Sequence, residues 1–332
     1  MKSKLVLGGA GYIGSHLVRE LVKRGENVIV VDNLITGHRQ AVEPKARFCE
    51  GDIRDSAFLD RLFSENEIDI VFHFCAASLV GESVADPLKY YDNNVIGAIR
   101  LAQALVKHNV KKIIFSSTAA VYGEPQKNPI AVADITIPTN PYGDTKLTME
   151  KLFRNCDIAH GLKFVALRYF NACGADVSGE IGEDHKPESH LIPLVLQIPL
   201  DQRESISVFG NDYSTPDGTC IRDYIHVTDL IDAHIKAGEY LNSANGSNIF
   251  NLGTGRGFSV LEIISAARKV TGHSIPIKIA QRRAGDPTQL VADCGNSREI
   301  LNWEPKITSP EDIIASAWKW HKNHPHGYSS VR

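Results

Sequence analysis

The chain lacks the marks of several protein classes. Its six cysteines, at 49, 75, 156, 173, 220 and 294, lie far apart and form no CxxC pair. That spacing argues against a disulfide framework or a cysteine zinc site, and for reduced, buried thiols in a cytoplasmic protein. No stretch approaches the about 18 consecutive apolar residues of a membrane-spanning helix. The first apolar run, Leu5-Val6-Leu7, leads straight into glycines, so no N-terminal secretion signal fits. Charge is nearly balanced, with 36 Lys and Arg against 39 Asp and Glu. Without a basic surplus, neither nucleic acid nor an anionic membrane is an expected partner. The 13 histidines are scattered with no HExxH, and no metal site is expected. There are no repeats and no low-complexity linker.

What is present is a strand and helix alternation with enough apolar content, 43% of 332 residues, for one large or two ordinary domains. Leu5–Leu7 reads as a first strand. The turn Gly8-Gly9-Ala10-Gly11-Tyr12-Ile13-Gly14 follows, opening a helix to Arg24. Strand, glycine turn and helix in that order let backbone N–H groups approach a pyrophosphate at the positive end of a helix. Strands are read at 27–31, 48–52, 70–74, 112–116 and 164–168. Helices are read at 57–63, from Pro87 onward as one long element, and at 142–159. Six such units predict an α/β fold with a doubly wound parallel (Rossmann) sheet. After Asn171 the pattern changes to polar loops and short elements. We expect residues 1–171 to form the dinucleotide-binding domain, with later segments at about 220–255 returning to it. Residues 172–332 should mainly form a smaller α/β substrate domain.

Asp32 ends the second strand, about 20 residues beyond the glycine turn, where an acid accepts hydrogen bonds from a ribose and repels a 2′-phosphate. NAD is therefore expected over NADP, unless His38 and Arg39 pair with a 2′-phosphate. Asp52, after the third strand, is placed for the adenine end. Cys75-Ala76-Ala77 admits two readings, close approach to pyrophosphate or tight packing. Tyr142 and Lys146, four apart, share a helical face. An ammonium near a phenol lowers its pKa from about 10 toward neutrality and makes Tyr142 a general base. Thr118, in Ser116-Ser117-Thr118, is placed to hydrogen-bond the reacting oxygen.

These residues together resemble the extended short-chain dehydrogenase/reductase superfamily. The second half narrows the match. Arg168-Tyr169-Phe170-Asn171, Gly210-Asn211-Asp212-Tyr213, Asp217-Gly218-Thr219, Arg222-Asp223-Tyr224-Ile225-His226-Val227 and Arg282-Arg283-Ala284-Gly285-Asp286 resemble the UDP-glucose (UDP-galactose) 4-epimerases. The resemblance implies that Tyr142 takes the 4-hydroxyl proton while hydride passes from C4 to NAD. The 4-keto sugar then turns, and hydride returns to its other face. Cofactor contacts carry over to Gly8, Gly11, Tyr12, Ile13, Asp32, Asn33, Asp52, Ile53, Asn94, Ser116, Lys146 and Tyr169. Nucleotide-sugar contacts carry over to Thr118, Asn171, Leu191, Phe209, Arg222, Arg283 and Asp286. Four positions depart from the pattern of some members. Thr118 stands for Ser and keeps the hydroxyl. Ser78 stands for a Lys. His190 stands for Asn and can still donate to phosphate. Leu290 stands where a Tyr or a smaller residue sets the room around the sugar 2-substituent, which implies tolerance of N-acetylated UDP-hexosamines. The resemblance also implies a homodimer through the helices after Pro87 and Tyr142.

Two other enzyme readings share the fold: an epimerase of another UDP-sugar, such as a pentose or uronate, and a nucleotide-sugar 4,6-dehydratase. The latter resembles Thr-Asp-Glu after the fifth strand, where this chain has Thr118-Ala119-Ala120. A non-catalytic NAD-binding module would have no need of Tyr142 and Lys146.

Overall fold

The architecture comes from a computed structural model that describes residues 2–243, 246–283 and 286–330. Its centre is a seven-stranded, all-parallel sheet. The first six strands are β1 (Ser3–Leu7), β2 (Val28–Asp32), β3 (Arg47–Glu50), β4 (Ile68–His73), β5 (Lys112–Ser116) and β6 (Lys163–Tyr169). The seventh, Asn248–Leu252, pairs with β6. It is β10, since β7 (Asn171–Cys173), β8 (Ile206–Phe209) and β9 (Ile221–His226) precede it. The order is β10-β6-β5-β4-β1-β2-β3, so the winding direction reverses between β1 and β4. Such a reversal is where open α/β sheets take their ligands, outside the carboxyl ends of the strands.

Alternation along each strand explains the two faces. Leu5 and Leu7 enter a core with Leu59, Leu101 and Phe153, whereas Val6 enters one with Leu17, Phe250 and Trp303. Residues one apart point to opposite faces, and a parallel sheet covered on both sides needs both to be apolar. The helices that cover it are α1 (Tyr12–Lys23), α2 (Ser56–Glu65), α3 (Val80–Ala85), α4 (Pro87–Tyr90), α5 (Gly97–Lys107) and α6 (Pro141–His160). The element after Pro87 is not one regular helix. A π-helical stretch, Tyr91–Ile96, separates α4 from α5. The extra residue in the turn carries Asn94 into the interior, where its Nδ2 donates to Thr145 Oγ1 at 3.0 Å and its Oδ1 accepts from Ala77 N–H at 2.8 Å. Such π turns concentrate at functional sites.

The remaining helices are α7 (Leu191–Leu196), α8 (Val227–Asn242), α9 (Val260–Thr271), α10 (Gly295–Leu301) and α11 (Pro310–Asn323). α9 carries a capping box between Ser259 and Glu262 and ends at left-handed Gly272, which satisfies backbone groups at both ends. Within 220–255, α8 packs on β5 and β6 and β10 extends the large sheet. β9 instead lies in a second sheet, pairing with β7, β11 (Gly257–Ser259) and β13 (Gln289–Leu290). β12 (Ile277–Ala280) pairs with β8. A third core of Val195, Val208, Ile263 and Ile313 lies beneath these elements.

Candidate active site

The glycine turn lies at the reversal point, and its glycines differ in what requires them. Gly8 has φ +78°, and a Cβ there would come 2.8 Å from the Cys75 backbone nitrogen, in the loop after β4. A Cβ on Gly14 would come 2.1 Å from the Gly8 carbonyl oxygen. The chain's own packing thus demands both. At Gly11 a Cβ would meet only that oxygen, at an ordinary 3.4 Å. Gly11 also caps α1 without any side-chain hydrogen bond, so no side chain takes up the N–H groups of the helix's first turn. The side chains there turn inward: Tyr12 donates its hydroxyl to the Gly174 carbonyl at 2.6 Å, and Ile13 packs on the core. What remains open is backbone at a positive helix end, and it fits a diphosphate.

Asp32 is buried at the end of β2. Its carboxylate accepts the Ala10 N–H at 3.0 Å and the Leu34 N–H at 2.9 Å. It therefore braces the glycine turn and its own loop. Burial pushes its pKa up, against those hydrogen bonds. Asn33 donates to Asp52 at 2.9 Å, and the Arg54 guanidinium holds the Asp52 carboxyl well below the usual carboxylate range. Ile53 is buried beneath Gly97. The two side chains weighed as 2′-phosphate partners are engaged elsewhere. His38 Nε2 lies 3.0 Å from the Asp184 carbonyl, and Arg39 stacks 4.5 Å over the Phe48 ring.

The reacting groups meet beyond β5. Thr118 opens a 3₁₀ turn, Ala119–Tyr122, by accepting the Ala120 N–H at 3.1 Å. α6 starts beside it, capped by Asn140, which accepts the Gly143 N–H at 2.9 Å. This start presents Tyr142 and, one turn on, Lys146. Lys146 is 3% exposed and donates to the Ser116 carbonyl at 2.8 Å. Its Nζ lies 5.0 Å from the Phe115 ring centre and 5.9 Å from that of Tyr142. Burial pulls its pKa down to about 7, with Cys75 and Glu150 opposing. The expected lowering of the Tyr142 pKa by Lys146 is not what the protein alone produces. Burial pushes the phenol up, and the opposing contribution is a hydrogen bond with the Thr118 hydroxyl. Both groups are withdrawn from water, which disfavours phenolate and ammonium alike. Tyr169 hydrogen-bonds Ser116 at the same strand ends, and burial pushes its pKa up too.

Behind this group lies a buried network to which the sequence reading gave no role. Arg168 grips Glu150 at 2.7 and 2.9 Å, and Ser117 donates to the same carboxylate at 2.5 Å. Tyr122 accepts from Arg168 at 2.9 Å and donates to Asn251 at 2.7 Å. The available signal was Glu150, one helical turn beyond Lys146.

The sugar-side residues gather on the second sheet. Parallel pairing sets Asn171 opposite Tyr224 and Leu290 opposite Arg222, so β9 brings three expected residues onto adjoining strands. Arg222 donates to Asp286 and, at 2.7 Å, to the Ile221 carbonyl. Arg283 stacks 4.0 Å over the Phe209 ring. Ala284 and Gly285 of that motif lie outside the described residues. Leu290 packs on the cluster of Ala119, Tyr122, Leu147 and Phe170, and so reaches the segment that follows Thr118. Asp223, quoted in its motif without a role, is the tie. Its buried carboxylate accepts from Thr254 N–H at 2.7 Å, Thr254 hydroxyl at 2.8 Å, Gly255 N–H at 3.0 Å and Ala292 N–H at 3.1 Å. Leu191 is half-buried at the start of α7. His190, expected to donate to phosphate, has its Nδ1 on Glu183. Burial works against its imidazolium, yet Glu183 and Glu188 outweigh that and raise its pKa. Ser78 is exposed in the loop after β4.

Residues 4–253 match the family described as NAD dependent epimerase/dehydratase. A UDP-glucose 4-epimerase of Halalkalibacterium halodurans is 58% identical, covering 98% of this chain and 97% of that protein. One from Lacticaseibacillus casei is 56% identical over 97% of this chain and 98% of that protein. The crystal structure of UDP-glucose 4-epimerase from Bifidobacterium longum in complex with NAD⁺ and UDP is similar with TM-score 0.93 at 42% identity. That match covers 98% of this chain and all of the other, 100%.

Proposed function

The chain belongs to the NAD dependent epimerase/dehydratase family, and from that premise we propose that it interconverts UDP-glucose and UDP-galactose. It does so by inverting C4 through a 4-keto intermediate, with NAD as cofactor. The observation that carries this reading is the convergence of Tyr142, Thr118 and Lys146 beyond β5, with Leu290 linking that spot to Arg222 on the second sheet.

Tyr142 takes the proton of the sugar 4-hydroxyl and gives it back when C4 is rebuilt. Thr118 holds the phenol by a hydrogen bond and offers its hydroxyl to the reacting oxygen. Lys146 is fixed on the Ser116 carbonyl and would help hold the nicotinamide ribose. The Gly11 backbone, Asp32 and Asn33 would hold the dinucleotide, with Asn94 bracing the loop after β4. Bound NAD supplies hydride acceptance and return at C4, together with a positive ring charge that favours the phenolate which burial disfavours. Arg222 and Arg283 offer planar guanidinium forks to the diphosphate. Phe209 offers a face to uracil. Ala119 and Ala120 provide no carboxylate for elimination, which supports epimerisation over dehydration.

The test is incubation of purified protein with UDP-glucose, UDP-galactose, UDP-pentoses and UDP-uronates, without added NAD. Interconversion of the hexoses is expected. Turnover of pentoses or uronates alone, or a 4-keto-6-deoxy product, replaces this reading with the corresponding one. Leu290, smaller than Tyr, supports turnover of UDP-N-acetylglucosamine, and Leu290→Tyr should remove it. No turnover of that substrate by the natural chain ends the idea.

The working unit is a homodimer through the elements from α3 to α6. Val84 and Leu88 there are 64% and 80% exposed, and Ile96 and Ile99 are also uncovered. Several large apolar side chains left exposed in one stretch of the chain suit contact with a second copy. Sedimentation should give a dimer that Leu88→Arg with Ile99→Arg splits; a monomeric natural chain contradicts this. Six free cysteines suit the reducing cytoplasm as its location. No helix among the described residues is long and apolar enough to cross a membrane.

A further inference from the structure

The segment from Glu183 to His190 reads Glu-Asp-His-Lys-Pro-Glu-Ser-His, and the chemistry above uses little of it. The loop folds back so that Glu183, His185, Glu188 and His190 each turn one ligand-type atom inward, all within 4.8 Å of one another. Both histidines present Nδ1. That of His185 lies 3.2 Å from Glu183 Oε1 and 3.8 Å from Glu188 Oε2. That of His190 lies 3.6 Å from Glu188 Oε1 and nearer still to Glu183 Oε1. Four ligands at zinc bond lengths of about 2.0–2.1 Å stand about 3.3 Å apart at the corners of a tetrahedron. The nitrogen–oxygen separations just given, 3.2 to 3.8 Å with one shorter, bracket that value.

One further observation points to a ligand. His185 Nδ1 is buried and faces Glu183 Oε1 at 3.2 Å without the geometry of a good hydrogen bond, an unusual state for a buried ring nitrogen. The loop that carries the four residues is also braced, locally at the Glu188 carboxylate and from α11 at the Glu183 backbone. Ser189 and His190 N–H donate to Glu188 at 2.7 and 2.8 Å, and Trp320 Nε1 donates to the Glu183 carbonyl at 3.0 Å. A cavity of about 460 Å³, walled by this loop and by His321 and His324, gives a way in.

We propose that Glu183, His185, Glu188 and His190 bind one divalent transition-metal ion of the zinc class. Two imidazole nitrogens select such an ion over magnesium or calcium, and two carboxylates balance its charge. With Nδ1 on the ion, the His190 proton sits on Nε2, which fixes a single N–H donor next to α7.

The NAD-loaded protein, stripped over a chelating resin, is titrated with Zn²⁺ by calorimetry and with Co²⁺ by visible absorption. One Zn²⁺ per chain, the intense bands of four-coordinate Co²⁺ and a raised Tm are expected. The double variant His185→Ala/Glu188→Gln should lose all three while keeping its NAD and circular dichroism. Should it fail to fold, Glu188→Gln alone must weaken Zn²⁺ by at least the about tenfold that loss of a supporting partner costs. His324→Ala/His326→Ala should bind as the natural chain does. No binding, a six-coordinate cobalt spectrum, undiminished binding in the Glu188 variant, or loss confined to the His324/His326 variant overturns the site.

Discussion

The two sides of the cleft hold their functional side chains by different means. On the dinucleotide side, several groups sit at or just beyond the end of a parallel strand. Gly8 follows β1, Asp32 closes β2, Ser116 closes β5 and Tyr169 closes β6. A regular sheet fixes these positions collectively, and single side chains add bracing, as Asp32 does for Ala10. On the sugar side the strands are two to six residues long and come from distant parts of the chain. Arg222 is set by pairing with Phe258 of β11 and Leu290 of β13, by Asp286, and by the tie that Asp223 makes next to it. The first arrangement resists point changes outside its glycines. The second depends on a few polar contacts, and those are where it should break.

The sharpest break concerns the chemistry itself. Tyr142→Phe should cut turnover by about 10²–10⁴-fold, the usual worth of a positioned acid–base group, with NAD retained; unchanged turnover removes Tyr142 from the mechanism. The glycine turn comes next, because its residues should fail differently. Gly14→Val forces a side chain onto the Gly8 carbonyl and should cost about 3 kcal/mol of stability or more, seen in urea unfolding. Gly11→Val meets no such obstacle at its Cβ and should fold with the Tm of the NAD-stripped natural chain yet purify without NAD. An NAD-loaded, active Gly11→Val would show that the turn does not hold the diphosphate.

On the sugar side, Asp223→Asn sets an amide N–H₂ against backbone N–H donors. It should lose about 1–3 kcal/mol per donor left unpaired, raising KM for the UDP-sugar while NAD content holds. Equal loss of NAD would mean the two sides are not independent. Arg222→Lys keeps the charge but loses the planar fork, and should raise KM about tenfold, or about 1.4 kcal/mol. The smallest effect belongs to Asp52. Its folded pKa lies below its unfolded value of about 3.9. Its stabilisation is therefore present above that pH and is lost as pH falls through the folded value. With Asp52 and Arg54 26% and 35% exposed, Asp52→Asn should cost no more than about 1 kcal/mol near pH 7. The gap from the natural chain should close in acid melts; a gap that widens in acid would contradict the assignment.

Much of the fold was legible because parallel strands buried on both faces announce themselves as short apolar runs. The glycine turn and the four-residue spacing of Tyr142 and Lys146 are local patterns that survive folding unchanged. The break in the helix after Pro87 was not legible, since π turns carry no periodicity of their own and this one is drawn in by Asn94 contacts with Ala77 and Thr145. The short strands β7, β9, β11 and β13 were not read as strands either. Strands of two to six residues exist only through their partners. The histidines looked scattered because Glu183, His185, Glu188 and His190 converge only when the loop folds back.

The sequence by itself determined the sheet, its winding and the kind of chemistry, because strand burial, glycine turns and helical spacing act over a few neighbouring residues. Only the tertiary structure decided how the sugar side is tied together and which way the pKa values move. Both depend on groups far apart in the chain: Asp223 on Thr254 and Ala292, and Tyr142 on the loss of water around it.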